Sequence, residues 1–520
     1  MKKIKFILPF LLSICSLSLF GQRYLKQVFD SITKTNTYYG SNITVLASPT
    51  LLKVPLPVSI FTPKGDTVRN RPLVIYVHTG NFLPYPTNGG TNGRTAPPMD
   101  QYASIAQLGM GFPVDSTLIE ICTRLTKMGY VTAAIDYRTG WNPIASTQGE
   151  RVNTLINAAY RGVQDLRTAI RFFKVTAKLQ GNPFGIDTSK IVAWGQGTGG
   201  YITLAAATLD SYNDIVNSQD GKFIGGTAQM PVPYVIQSIH GDIYGTSVGK
   251  HPVTGDTTSL PNFVGFNSDF QLCVNMGGAI ADTSWIDASD LPLIAFHEPR
   301  DVFAPYKEGV VLVPVVNLPV VKVQGSYLAT QKTDKLGLQK KMRDLKLNDV
   351  ITQNANKKND GIEGLYPVTG EGQFDSDPWN WWDTTLTVPA NSRSGLLTNP
   401  NMSAAKARRY IDTLIGYFAP RAFAVLGLGT FTSTPDQLKD HQVGLKMMPN
   451  PMVSQTTLQT NTAFPMKAIA IYDINGRLVG KTSKLNTSHF TIERRGMPEG
   501  TYFIQIGFDK GIITKPLLIQ

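Results

Sequence analysis

Histidine and cysteine are scarce in this chain of 520 residues, with six of the first and three of the second. Cys15 lies in the N-terminal apolar run, and Cys122 and Cys273 show no metal-ligand spacing. A structural zinc site is therefore unsupported, and no metal or other cofactor is expected. Export would permit a disulfide. The positions favour two buried thiols instead, since Cys122 falls in a helical pattern and Cys273 in an apolar strand. Charged residues make up only 17% of the chain, with a formal net charge of +12. Three lysines in the first five residues and a surplus of five after residue 445 carry most of that excess. About +4 remains for the central region, with no basic stripe of interleaved aromatics, so a nucleic-acid partner is not expected. Beyond the first 20 residues no apolar run is long enough for a membrane helix.

The two ends have their own character. Lys2, Lys3 and Lys5 precede the apolar stretch Phe6–Phe20, and cleavage near Gly21–Gln22 reads as a secretory signal over residues 1–21. Cys15 is a poor lipoprotein cysteine because bulky Ile14 precedes it. From Lys446 the chain changes to short alternating strands. Met448-Pro-Asn-Pro-Met452 opens them, Asp473-Ile-Asn-Gly-Arg477 marks a hairpin, and Gly500-Thr-Tyr-Phe503 and a basic tail follow. These motifs together resemble the type A C-terminal sorting domain of the Bacteroidetes type IX secretion system. The resemblance implies that residues 446–520 engage that machinery and are removed, leaving the protein on the outer-membrane surface or released. Residues 431–445, polar and proline-containing, read as the linker.

Residues 22–430 alternate strand and helix, which predicts an α/β domain with a mostly parallel sheet and flanking helices. Leu73–His78 is a continuous apolar run, suited to a strand covered on both faces. Helices are expected over Ser116–Met128, Val152–Lys178, Asp334–Leu347 and Ser403–Phe418, the last with Ser403 as N-cap. Val315–Gln324 reads as the last strand of the sheet, and about 330–400 as a cap insertion.

Ile191-Val-Ala-Trp-Gly-Gln-Gly-Thr-Gly-Gly-Tyr201 carries an apolar strand into a glycine cluster and then a helix. Three further stations share its order: His78-Thr-Gly-Asn-Phe82, Ile135-Asp-Tyr-Arg138 and Leu293–Asp301. Together they resemble the carboxylesterase and lipase branch of the α/β-hydrolases, over about Val58–Gly325. In that family the elbow G-x-S-x-G presents a serine. The resemblance puts Gly80, Asn81 and Thr198 in the oxyanion loop and Asp301 at the triad-acid position. The nucleophile position is Gly197, and no histidine occurs between Asp301 and His441. A serine needs its base, and the base its orienting acid. The expectation is a catalytically degenerate hydrolase that binds or scaffolds, with Asp301 vestigial and bonding loop N–H groups. A hydrolase with a non-standard set is the alternative, and His240 is its best base. Gly195-x-Gly197-x-x-Gly200 also spells a dinucleotide fingerprint, but it does not sit in the first βα turn.

Trp379, Trp381 and Trp382 cluster among carboxylates in Asp375–Asp383. Such rings suit stacking on a sugar or another small molecule, or pinning a segment to the body. The ligand class left open is therefore a small molecule or a glycan.

Overall fold

The computed structural model describes residues 23–44, 51–83, 116–301, 303–313, 317–369, 403–429, 438–474, 477–509 and 511–520. The chain divides into two compact units, Met1–Phe431 and Thr432–Gln520.

The first unit is built on eight strands: β1 Ile32–Thr44, β2 Leu52–Pro63, β3 Arg71–Val77, β4 Val131–Ile135, β5 Ile186–Gln196, β6 Leu272–Met276, β7 Leu293–His297 and β8 Leu365–Pro367. They lie in the order β1-β2-β4-β3-β5-β6-β7-β8. Every neighbouring pair from β4 through β8 is parallel, and β2 runs antiparallel to both β1 and β4. Helices α1 Ser116–Lys127, α2 Gln148–Leu179, α3 Thr198–Thr208, α4 Ser326–Lys335 and α5 Ala404–Val425 surround the sheet.

Alternate residues of one strand serve opposite faces, so β3 feeds two cores. Leu73, Ile75 and Val77 pack with Val163, Leu166 and Ile170 of α2 and Ile202 of α3. Val74 and Tyr76 pack with Leu118 and Ile121 of α1 and Phe418 of α5. Trp194 of β5, fully buried, stacks between Tyr76 and Phe296. Each such side chain contributes about 1.5–3 kcal/mol by leaving water. Cys122 and Cys273 are both buried free thiols.

Two expectations need correction. Pro319–Gly325 is not in the main sheet; it pairs with Ala279–Ile280 and Glu308–Leu312 in a separate three-stranded sheet. The last strand of the main sheet is β8, a three-residue segment too short to announce itself by apolar periodicity. The stretch read as a cap thus begins as the helical crossover from β7 to β8. In addition, the helix expected over Asp334–Leu347 is two helices, α4 and Lys340–Arg343, parted at Gly337 with φ +79°. Ser403 does cap α5, its hydroxyl accepting from Lys406 N–H at 3.2 Å.

The second unit is all β among its longer elements. Lys446–Met448, Gln455–Gln459 and His489–Glu493 form one sheet. Leu478–Thr487, Met466–Asp473, Gly500–Phe508 and Gly511–Ile519 form another, in that order. Leu458, Ile469, Ile504, Ile506 and Leu517 fill the core between them. Val443, on the short helix Asp440–Val443, is buried in the same core. Residues 438–445 therefore pack within this unit.

Candidate functional site

β5 ends at Gln196 and α3 starts at Thr198, so the whole reversal falls on Gly197. Its φ of +56° and ψ of −116° are costly for any residue with a Cβ. Its N–H donates to the Met276 carbonyl of β6 at 2.8 Å. The turn is a sharp strand-to-helix reversal on a glycine, at the position where the sequence resemblance expects a serine-bearing elbow. A Cβ placed on Gly197 would lie 2.2 Å from Thr79 Oγ1 and 2.8 Å from Thr79 Cβ. The volume a nucleophile's side chain would need is occupied by Thr79.

Thr79 follows β3, beside a buried polar cluster. His78 Nε2 lies 2.9 Å from Asp136 Oδ1, and its ring stacks on Tyr137 at 4.6 Å. The Tyr137 hydroxyl donates to the His78 carbonyl at 3.0 Å, and so accepts from Thr198 Oγ1 at 3.1 Å. Arg138 pairs with Asp165 at 2.8 Å, both fully buried. Ile135-Asp-Tyr-Arg138 is therefore a brace between the ends of β3 and β4, α2 and the elbow. Asn81 and Phe82 both hold φ +55°. Trp141 Nε1 pins the Asn81 carbonyl at 2.7 Å, and Gly140 N–H pins that of Phe82 at 2.8 Å. This is stored strain beside the elbow. Thr198 adjoins Gly197 in the chain, and Gly80 and Asn81 follow Thr79, whose side chain lies against Gly197. Thr198 and Gly199 supply the first amides of α3, which have no acceptor within the helix.

Asp301 sits four residues past β7. Its side chain is buried, and Oδ1 accepts from the N–H groups of Phe303 at 2.7 Å and Ala304 at 3.0 Å. Burial, and then the Asp301 charge, raise the proton affinity of the Tyr201 phenol on the first turn of α3. The Asp301 carboxylate thus lies near the first turn of α3, and the sequence holds no histidine between it and His441. His441, the first histidine after Asp301 in the sequence, lies in the second unit.

Sequence reasoning missed Ser326. It opens α4, and its Oγ lies 2.6 Å from His297 Nδ1 and 2.8 Å from Asn275 Nδ2. His297 Nε2 faces the Ala304 carbonyl at 2.9 Å, so Nε2 carries the proton and Nδ1 accepts from Ser326. Asp301 Oδ2 is 3.7 Å from the same Nε2. Burial lowers the pKa of His297 to about 4, which keeps it neutral. Ser326 and His297 are both wholly buried. No spacing in the sequence announces this contact, because the small sheet brings Ser326 back to β7.

His240 is placed elsewhere. Its Nδ1 accepts from Ile236 N–H at 2.9 Å, and Gln164 of α2 holds its carbonyl at 2.9 Å. Its described partners are thus its own turn and α2 rather than the elbow. Trp379, Trp381 and Trp382 lie outside the described residues. Asp210, Asp287 and Asp290 bring carboxylate oxygens within 4.8 Å of one another, but two of the three are exposed, as solvated acids commonly are.

A family model described as BD-FAE, an esterase-like α/β-hydrolase, matches residues 114–315. The chain carries an esterase-like α/β-hydrolase domain. A second model, the secretion system C-terminal sorting domain, matches residues 446–520. That domain engages type IX secretion and indicates delivery to the cell surface or extracellular space. Among the described residues no helix is long and apolar enough to cross a membrane. No curated protein matches the chain. Similar solved structures include a propionate-bound thermophilic esterase of the planctomycete Thermogutta terrifontis. It is 16% identical over 52% of this chain and 74% of that one, with a TM-score of 0.26. A hyperthermophilic esterase of the archaeon Pyrobaculum calidifontis is 17% identical over 38% and 43%, with a TM-score of 0.19. An α/β-hydrolase from a Medee basin deep-sea metagenome library is 10% identical over 73% and 99%, with a TM-score of 0.29.

Proposed function

We propose that this exported hydrolase-fold protein has lost ester hydrolysis and acts at the cell surface by binding, after removal of a signal at residues 1–21. One observation carries the reading: Thr79 fills the space at Gly197 that a nucleophilic side chain would need. The missing histidine supports it, since none lies between Asp301 and His441 and a serine without a base stays protonated. The oxyanion loop and elbow amides remain to hold a carbonyl group, and the ligand is a small molecule or a glycan. The test is hydrolysis of short-chain nitrophenyl esters by the purified mature protein. The expected result is no turnover above what binding and an oxyanion hole leave, about 10³–10⁴ over water. Turnover like that of an ordinary esterase, abolished by a serine-reactive phosphonate, would refute the proposal.

A hydrolase with a non-standard set is the second reading, and the Ser326–His297 hydrogen bond is what favours it. Complete burial of both groups weighs against it. Peptide mapping after phosphonate treatment separates the two, because a label on Ser326 belongs only to the second. Nucleotide binding through Gly195, Gly197 and Gly200 gains nothing from the geometry. A Cβ at Gly195 would meet the Gly199 carbonyl at 2.1 Å, and one at Gly200 would meet Asn275 Oδ1 at 2.2 Å. Those glycines make room for protein.

A further inference from the structure

α2 carries a row of buried arginines, and all but one are well satisfied. Arg167 donates to the carbonyls of Ile243, Ala206 and Leu209. Arg171 donates to those of Tyr244, Gly245 and Asn262. Arg138, packed against the same helix, has Asp165. Arg161 is the exception. It is 8% exposed, and among the described residues its side chain makes one hydrogen bond, to the Gly140 carbonyl at 2.6 Å, and its Nε has no partner. No carboxylate pairs with it among the described residues, since Arg138 takes Asp165. Burial and then the Arg138 charge lower its pKa to about 9, opposed by the Asp165 carboxylate that already pairs with Arg138.

Two neighbours are unfinished in the same place. Asn157, one turn earlier on α2, gives its Nδ2 to the Asn153 and Tyr234 carbonyls, and its Oδ1 is buried without a partner. His240 uses Nδ1 to accept from Ile236, so a proton on Nε2 is left to donate. Arg161 lies close enough to His240 to help lower its pKa to about 4, after burial itself. Asn157 and His240 are each half-buried.

We propose that Arg161, with Asn157 and the Nε2–H of His240, forms a binding site for a small oxyanion, a carboxylate or a phosphate. The guanidiniums of Arg138 and Arg161 share the single carboxylate of Asp165, an anion adds the second negative charge, and the fork of a guanidinium suits two oxygens at once. A hydroxyl on the same ligand would satisfy Asn157 Oδ1, as a sugar acid could. None of its three groups belongs to the elbow itself, and its titration reads anion binding rather than ester turnover.

The test is calorimetric titration of the full chain with inorganic phosphate, acetate and glucuronate, using glucose and chloride as controls. Saturable binding with a Kd of about 1 mM or tighter by one of the three anions, and by neither control, is expected. Phosphate binding without acetate or glucuronate assigns a phosphate site, and the reverse a carboxylate site. Arg161→Gln should weaken binding about tenfold or more. Asn157→Ala and His240→Gln, on less buried positions, should each weaken it severalfold and decide the matter if Arg161→Gln does not fold. The proposal is overturned if no anion binds saturably, or if the folded variants bind like the parent.

Discussion

Gly197→Ser is the obvious attempt to revive this elbow, and the geometry says that it fails for two separable reasons. The first is conformational. A Cβ at φ +56° and ψ −116° costs about 1–3 kcal/mol. The second is steric. At 2.2 Å from Thr79 Oγ1 the new side chain must push Thr79 aside, an overpacking cost of about 1–3 kcal/mol. Together the substitution should destabilise the first unit by about 2–6 kcal/mol. At about 2.1 cal/mol/K per residue over roughly 400 residues, that lowers its Tm by about 2–7 °C. Thr79→Gly removes the blocking atoms and should recover the steric share only. A double-mutant cycle over Gly197→Ser and Thr79→Gly should then show a coupling of about 1–3 kcal/mol. Denaturant unfolding measures it, and nitrophenyl ester turnover is followed in parallel. None of the variants should hydrolyse ester at an ordinary rate, because no histidine occurs between Asp301 and His441 to act as the base. Additive stabilities would show that Thr79 does not block the site. Robust turnover by Gly197→Ser alone would show that a base is already in place.

Other consequences follow from the same structure. The pKa of His297 is lowered in the folded protein to about 4, so the unfolded chain takes up its proton first as the solution is acidified. The stability due to neutral His297 is complete above about pH 6.5 and drains between about 6.5 and 4, by roughly 3 kcal/mol. His297→Gln should flatten that part of the stability–pH curve, and an unchanged slope would exclude the imidazole as its source. Ser326→Ala strands His297 Nδ1, leaves Asn275 Nδ2 with the Gly278 carbonyl, and should cost about 1–3 kcal/mol by denaturant titration, with no change in any residual esterase signal. Removing residues 432–520 should leave the first unit folded but hold it in the periplasm. The same segment fused to another exported protein should carry that protein to the surface of a type IX host; surface proteolysis reads both, and a truncated chain still reaching the surface would contradict the assignment.

The elements legible in the sequence are those whose signal is local. β3 shows as the apolar run Leu73–Val77 because both faces are covered, and α1, α2 and α5 show helical periodicity because one face packs on the sheet. The elbow and the oxyanion loop appear as glycine-rich stretches between such elements. The absence of a serine at position 197 and of any histidine between Asp301 and His441 is a matter of composition along the chain, so the sequence alone determined it. The tail is likewise local, a set of short strands and turns that pairs with itself. What only the tertiary structure decided depends on residues far apart in the chain. Thr79 and Gly197 meet because β3 and β5 are neighbours in the sheet although more than a hundred residues separate them. β8 is three residues long and is a strand only because β7 offers it an edge. Ser326 reaches His297, and Arg161 is left to share Asp165 with Arg138, through the paths of the small sheet and of α2. Periodicity records which face of an element is buried; it does not record which side chain from another element arrives there.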